Sequence, residues 1–315
     1  MDKKKVVVIG GGRGQATLLR GLKLNPNIHL TSLVTVADDG GSTGRLRKQF
    51  DIPAMGDIRN VMIAMAESET LLSRLMSYRF KDAANSEIGG HNLGNLILTA
   101  MIENSGNFME SIGTISKVLN VKGDIVPSSL QVITLYARMM DGTIVKGETN
   151  IPTKRNRIKE VFYQEHVRAS RQAINAINHA DFIIYGVGSL YTSICPNLII
   201  EDLQEALAKS SAKKIYVCNA MSQTGETDGY SVEDHVQAIL EHSKNDVDAV
   251  VVANDVIPLD VLLRYEKEET HPIIITEETH LYPIIEANLL DFKDGLVTHN
   301  PDKVAKLLDQ TFFKE

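Results

Sequence analysis

Four aspartates, one histidine and a group of basic side chains carry most of the chemistry open to this chain. Asp38, Asp39, Asp57 and Asp228 all stand at glycine-containing turns. Together they could hold a divalent metal, although spacing alone does not show it. Arg13, Arg45, Arg47, Lys48 and Arg59 crowd the first loops of an otherwise acidic protein, a local excess that suits an anion such as a pyrophosphate. His91, in Gly89-Gly90-His91-Asn92-Leu93-Gly94-Asn95, could donate to a phosphate or carry a proton near neutral pH. It could equally be a structural histidine. The chain contains no Gly-x-Ser-x-Gly, no His-Glu-x-x-His and no cysteine-rich metal site.

These residues need elements to position them, and the first is the clearest. Val6-Val7-Val8-Ile9 reads as a buried parallel strand that runs through Gly10-Gly11-Gly12-Arg13-Gly14-Gln15 into a helical stretch from Ala16 to Leu22. A strand, a glycine turn and a helix aim free N–H groups and a helix dipole at one point, which suits a phosphate. The dinucleotide fingerprint is not met, because its sixth position is Gln15 counted from Gly10 and Thr17 counted from Gly12. The P-loop pattern fails too, since no Gly-Lys-Ser/Thr follows. A tight turn that binds nothing stands as the alternative.

The pattern repeats along the chain. A strand from His29 to Ala37 ends in Asp38-Asp39-Gly40-Gly41-Ser42, where a dinucleotide fold places its ribose contact. Gly56-Asp57-Ile58-Arg59-Asn60 begins a helix running from Pro53 to Ala66, and a second is expected from Thr70 to Tyr78. Arg59 at a helix start opposes the dipole, so a bound anion or a surface ion pair is needed to explain it. Phe182 to Tyr185 leads into Gly186-Val187-Gly188-Ser189-Leu190-Tyr191, and Ile215 to Cys218 into a loop from Asn219 through Thr224-Gly225-Glu226-Thr227-Asp228. Ala249 to Val252 leads into Asn254-Asp255. Five such loops would share the carboxyl edge of a parallel sheet, where ligands bind.

The expected fold is therefore α/β: a Rossmann-like, mostly parallel sheet with helices on both faces. A further strand is predicted at Pro272 to Thr276, and a last helix from Pro301 to Phe312 that closes the sheet. Between Gly123 and Arg157 the character changes. Val132–Ala137 and Thr143–Glu148 flank Asp141-Gly142 as a hairpin, so residues 1–315 read as one domain with an inserted lobe at about 123–157.

Composition narrows the classes. A chain of 315 residues can bury a sizeable core, and a net charge of −7 argues against general nucleic-acid binding. No apolar run approaches a membrane span and no signal peptide is evident. Cys195 and Cys218 read as core thiols, and a cytoplasmic location is expected.

The loops together resemble the gluconeogenesis factor family, a branch of the group that includes phospholactate transferase. The resemblance lies in Gly10-Gly11-Gly12-Arg13-Gly14, Ala37 to Ser42 with Gly44-Arg45-Leu46-Arg47, Gly56 to Asn60, His91 to Asn95, Gly186 to Ser193 with Pro196-Asn197-Leu198, and Gly225 to Tyr230. It runs in order from residue 4 to about residue 265. It implies a cytoplasmic homo-oligomer that binds UDP-sugars such as UDP-N-acetylglucosamine and supports cell shape and wall synthesis during gluconeogenic growth. It implies that the glycine turn, Asp38, Asp39, Asn197, Asn219 and Arg264 contact the nucleotide sugar. Asn197 and Asn219 offer the donor and acceptor that a uracil edge needs, and Arg264 a fork for pyrophosphate. No cofactor is required on this reading. Magnesium enters only in the alternative, a transferase of a phospho-group, with Asp57 offsetting developing charge. A nicotinamide-binding protein is the third reading. The chain departs from the family at Arg13 (usually Thr), Ala16 (often Ser), Val187 (usually Pro) and Thr224 (often Pro).

Overall fold

The structure, a computed structural model, describes residues 3–67, 71–81 and 86–314. Ten strands carry the argument: β1 (Lys4–Gly10), β2 (Ile28–Val34), β3 (Asp124–Pro127), β4 (Tyr136–Met139), β5 (Ile144–Lys146), β6 (Ile158–Phe162), β7 (Phe182–Tyr185), β8 (Lys213–Val217), β9 (Ala249–Ala253) and β10 (Ile284–Ala287). Seven form one parallel sheet in the order β10-β9-β8-β7-β1-β2-β3. Val6, Val8 and Ile9 of β1 are fully buried beside Leu33 of β2 and Ile183 and Ile184 of β7. A strand apolar on both faces is stable only when helices cover both, and each such side chain contributes about 1.5–3 kcal/mol on burial.

The chain reverses direction across β1. From β1 it proceeds outward through β2 to β3, then returns to β7 and proceeds the other way to β10. The crevice at the carboxyl ends of β1 and β7 is thus a topological switch point, where open α/β sheets bind ligands. Helices Gly12–Leu22 and Gly56–Met65 pack together beside it.

Some boundaries differ from the sequence reading. Asp124–Pro127 is the edge strand of the main sheet, so the insertion starts after Pro127. It reaches Phe162, because β6 joins β4 and β5 in a three-stranded antiparallel sheet. The run Pro272–Thr276 is not a sheet strand. Pro272 makes one isolated bridge to Met221, and the edge beside β9 is taken by β10. The helix Pro301–Leu308 packs on Gly12–Leu22, where a Cβ on Gly21 would overlap the Pro301 carbonyl, so it covers a helix and closes no sheet. Thr70 lies outside the described residues, and the helix there is Leu71–Ser77. Among the described residues no helix is long and apolar enough to cross a membrane.

Candidate functional site

The glycine turn is built for close approach. Gly11 is extended at the helix N-terminus, and a Cβ on it would lie 2.7 Å from both Asp57 Oδ2 and Thr35 Cγ2. A Cβ on Gly14 would lie 2.7 Å from the Val187 carbonyl oxygen, so the first and third loops touch through glycine. Gly12 donates its N–H to Asp57. Gly56 brings the next helix start against the second loop: a Cβ there would sit 2.6 Å from Asp38 Oδ2. Gly10, Gly11, Gly12, Gly14, Asp38, Gly56, Asp57 and the loop holding Gly186 and Gly188 thus meet at the switch point.

One side of the site is acidic. Asp57 is pushed up to about 7 by burial and by the neighbouring Asp38, against the Gly12 N–H and Arg59. Asp38 is raised by burial, although Gly40 N donates to it at 2.9 Å and Thr43 also hydrogen-bonds it. The third member, Glu148, figures in the sequence reading only as the end of a hairpin strand. Burial, with Asp38, Asp57, Asp39 and Glu226 nearby, pushes it up to about 8. The insertion delivers it, because Thr149 anchors to Asp39 Oδ1 through its N–H at 3.0 Å and its hydroxyl at 2.7 Å. The alternation from Thr143 to Glu148 disguised this residue as strand, and the only local clue was Gly147-Glu148-Thr149-Asn150. Glu226 is buried and pushed up to about 7 by that burial, even though it accepts from Tyr191 N–H at 3.2 Å and the Thr192 hydroxyl at 2.8 Å.

The other side is basic. Arg59 donates to Asn95 Oδ1 at 2.8 Å and Asn60 Oδ1 at 2.7 Å, while its Nε is buried without a partner. Burial lowers its pKa first, with repulsion from Arg79 and Arg13 adding to it. Arg13 itself is exposed on the turn. His91 Nδ1 lies 3.1 Å from the Ser42 hydroxyl. Burial and then Arg45 and Arg79 lower its pKa, so it is a neutral member of the network at pH 7. Asn95 donates to Ser42 and Thr43, which ties that network to the second loop.

Other expected contacts have structural duties. Gln15 is fully buried and its amide donates to Val8 O and Leu33 O, clamping β1 to β2. Asn197 is fully buried and donates to Gly10 O and Ser193 O, while its Oδ1 is buried without a partner. Asn219 exchanges two hydrogen bonds with the Gly188 backbone. Leu190 and Tyr191 are buried, Ser189 starts the turn that leads to them, and Thr227 accepts from Gln223 N. Asp228 accepts from Gly225 N, Thr224 donates to Glu268 O, and Arg264 is exposed and donates to Asp294 O. Arg47 is buried and braces Ala37 O, Asp38 O and Ile133 O, whereas Arg45 is exposed and donates to Gly89 O with one arm. Among the described residues no three or more His, Cys, Asp or Glu side chains are grouped to hold a metal ion. Asp39 and Asp228 are each held in loop contacts of their own.

A family model described as 2-phospho-L-lactate transferase CofD matches residues 6–290. The chain belongs to the CofD family. Within it the chain is 45% identical to the gluconeogenesis factor of Halalkalibacterium halodurans over 314 residues, covering 98% of this chain and 96% of that protein. It is 42% identical to the gluconeogenesis factor of Bacillus subtilis, covering 98% of each. A crystal structure of a Bacillus halodurans protein superposes with a TM-score of 0.93 at 44% identity, covering 98% of this chain and 99% of that one. The seven-stranded sheet is therefore the fold of the family. The matches to both gluconeogenesis factors extend over nearly the whole chain.

Proposed function

We infer that this protein is a regulatory binder of a nucleoside-diphosphate sugar, of the UDP-N-acetylglucosamine kind, acting in cell shape and wall synthesis under gluconeogenic growth. One observation carries the diphosphate: a glycine turn and helix N-terminus at the switch point, flanked by Arg13 and by Arg59 with its unpartnered buried Nε. Backbone N–H groups, a helix dipole and guanidinium forks all favour a doubly charged bridge. The uridine and the N-acetylhexosamine rest on the family resemblance, and the similarity to gluconeogenesis factors supports the cellular role.

The acidic side favours a second reading on one specific ground. Asp38 raises the pKa of Asp57, and both raise that of Glu148, so a divalent cation entering beside them would relieve that repulsion even though the three are not grouped as a ready-made metal site. The matching family model is described as a transferase. A phospho-group transferase would use such a cation to offset charge on the transferred group.

Calorimetric titration with UDP-N-acetylglucosamine, UDP-glucose, UDP and NAD, with and without magnesium, tests both. Saturable micromolar binding of the UDP-sugars, with no product by mass spectrometry, is the expected result. Turnover that requires magnesium would replace the regulator with the transferase. Absence of any UDP-sugar binding would remove the nucleotide-sugar reading.

A further inference from the structure

A small polar cavity of ≈ 210 Å³ lies between the insertion and the loop after β8. It falls short of the roughly 300 Å³ at which pockets begin to take whole drug-sized ligands, so it suits one ring-sized group. Arg155, Asn156 and Arg157 line it from the insertion, and Thr224, Asp228 and Tyr230 from the facing loop. A Cβ on Gly225 would overlap the Pro152 carbonyl, so these two walls are in contact.

The cavity chemistry excludes a second phosphate. Arg155 is already paired with Glu269 at 2.9 Å and Arg157 with Asp234 at 3.1 Å. Neither guanidinium carries an uncompensated charge, yet each keeps further N–H donors. Asp228, the Asn156 carbonyl and the Thr224 hydroxyl oxygen supply acceptors, since the Thr224 proton goes to Glu268 O, and the Asn156 amide, which also bonds Asp141, and the guanidinium N–H groups supply donors. One wall is the Tyr230 ring, backed by the Arg157 guanidinium 5.0 Å from its centroid. With both guanidiniums paired, the Asp228 carboxylate gives the lining a negative excess that disfavours a phosphate, while donors, acceptors and an aromatic wall together suit neighbouring sugar hydroxyls, since each hydroxyl gives one hydrogen bond and accepts others.

Glu226 connects this cavity to the switch point. It lines the cavity, yet its oxygens bond Tyr191 N–H and the Thr192 hydroxyl in the loop after β7. That loop meets the glycine turn at Gly14 and Val187.

We propose that the cavity between residues 155–157 and 224–230 is the subsite for the sugar ring, with the insertion as the element that selects it. The proposal rests on the nucleoside-diphosphate sugar reading above and assigns Asn156, Arg157 and Asp228 to sugar hydroxyls. The diphosphate stays at the glycine turn.

The test compares UDP-N-acetylglucosamine with UDP on the intact protein. Asn156→Ala and Asp228→Asn are expected to weaken the sugar nucleotide about tenfold, near the worth of one hydrogen bond, and to leave UDP within about twofold. Asn156→Trp fills the cavity, and it is expected to abolish the preference for the sugar nucleotide while thermal melting and UDP binding persist. Equal loss for both ligands, or unchanged affinity for the sugar nucleotide, would overturn the subsite. If the unmodified protein binds UDP and the sugar nucleotide equally, the subsite also falls but the nucleotide reading stands. Failure of the unmodified protein to bind either removes that reading and this one with it.

Discussion

Two sets of carboxyl groups in this molecule face opposite environments. At the switch point Asp57, Glu148 and Glu226 are pushed up to about 7, 8 and 7, chiefly by burial, with like charges adding to it at Asp57 and Glu148. On the helix Val232–Ser243, Glu233 is drawn down to about 2. Burial opposes that charge too, but hydrogen bonds led by His280 at 2.8 Å outweigh it, with the Thr276 hydroxyl at 2.8 Å and the Thr276 and Glu277 N–H groups adding to it. At Glu233 the donors outweigh burial; at Glu226, which accepts from Tyr191 N–H, the Thr192 hydroxyl and the Gln223 amide, burial wins. The crevice crowds carboxyls together at a net cost to folding, an arrangement that a bound ligand or a change of protonation would offset.

Removing the structural member should have the largest effect. Glu233 and His280 are about one-tenth exposed, so Glu233→Ala leaves a buried imidazole and the Thr276 and Glu277 donors without their acceptor. The expected loss is about 3 kcal/mol, read as a lower urea midpoint. Hydrogen exchange should quicken first between residues 274 and 282, while UDP-sugar affinity holds.

The two sets also bend stability in opposite directions with pH. Glu233 has a folded pKa below the unfolded value of about 4.3, so its contribution is full above that value. It is lost as pH falls toward 2. For Asp57, Glu148 and Glu226 the folded pKa is raised, so the native state binds more protons than the unfolded chain between about 4.5 and 8. Stability must then fall as pH rises across that window and level off above the folded values of about 7 to 8. Glu148→Gln should remove part of that slope, stabilising the protein by about 1–2 kcal/mol at pH 8.5 and leaving it unchanged at pH 5. A melting temperature that responds equally at both pH values would contradict the buried-charge account. The carboxyls are coupled, so the slope belongs to the set rather than to one residue.

Much of this was legible along the chain and some was not. The strands β1, β7, β8 and β9 are short apolar runs bounded by glycine or polar residues, and such runs identify themselves locally. β10 does not, because Ile284–Ala287 is a weaker apolar run than Pro272–Thr276. What separates them is tertiary: the run 272–276 is tied to Ala220 O, to Val232 N–H and to Glu233, while β10 pairs with β9. The glycine turn was readable because close approach demands glycine whatever lies opposite. Asn197 and Asn219 are ambiguous along the chain, because an amide that suits a uracil edge equally suits a main-chain clamp. The deciding partner of Asn197, Gly10 O, lies 187 residues away. Glu148 was hidden for the same reason, since a distant anchor, Thr149 on Asp39, brings this part of the insertion to the crevice.

Ligand binding sharpens the comparison through protons. A diphosphate placed beside Asp57 and Glu148 adds negative charge and should raise their pKa further, so binding at pH 7 takes up protons. Titrations in two buffers of different ionisation enthalpy measure the number directly. Uptake of a fraction of a proton is expected without metal, reduced in Glu148→Gln and unchanged in Glu233→Gln. Net release in the presence of magnesium would mean that a cation enters beside the same carboxyls, which is the condition the transferase reading needs.

The smallest effect separates two arginines that looked alike in the sequence. Arg13 is exposed on the glycine turn and stands near enough to Arg59 to lower its pKa, so a ligand anion there would meet both. Arg264 donates to Asp294 O at 3.1 Å, and its guanidinium occupies the space a Cβ on Gly295 would enter. Arg13→Ala should therefore weaken UDP binding about three- to tenfold, the worth of one charge-assisted contact at a partly exposed site. Arg264→Ala should leave UDP binding within about twofold and stability within about 0.5 kcal/mol, as for other exposed side chains. A larger loss of affinity for Arg264→Ala than for Arg13→Ala would mean that the segment around residues 293–295 moves to release the guanidinium when ligand binds. The diphosphate would then be gripped from the β9 side of the crevice as well as from the glycine turn.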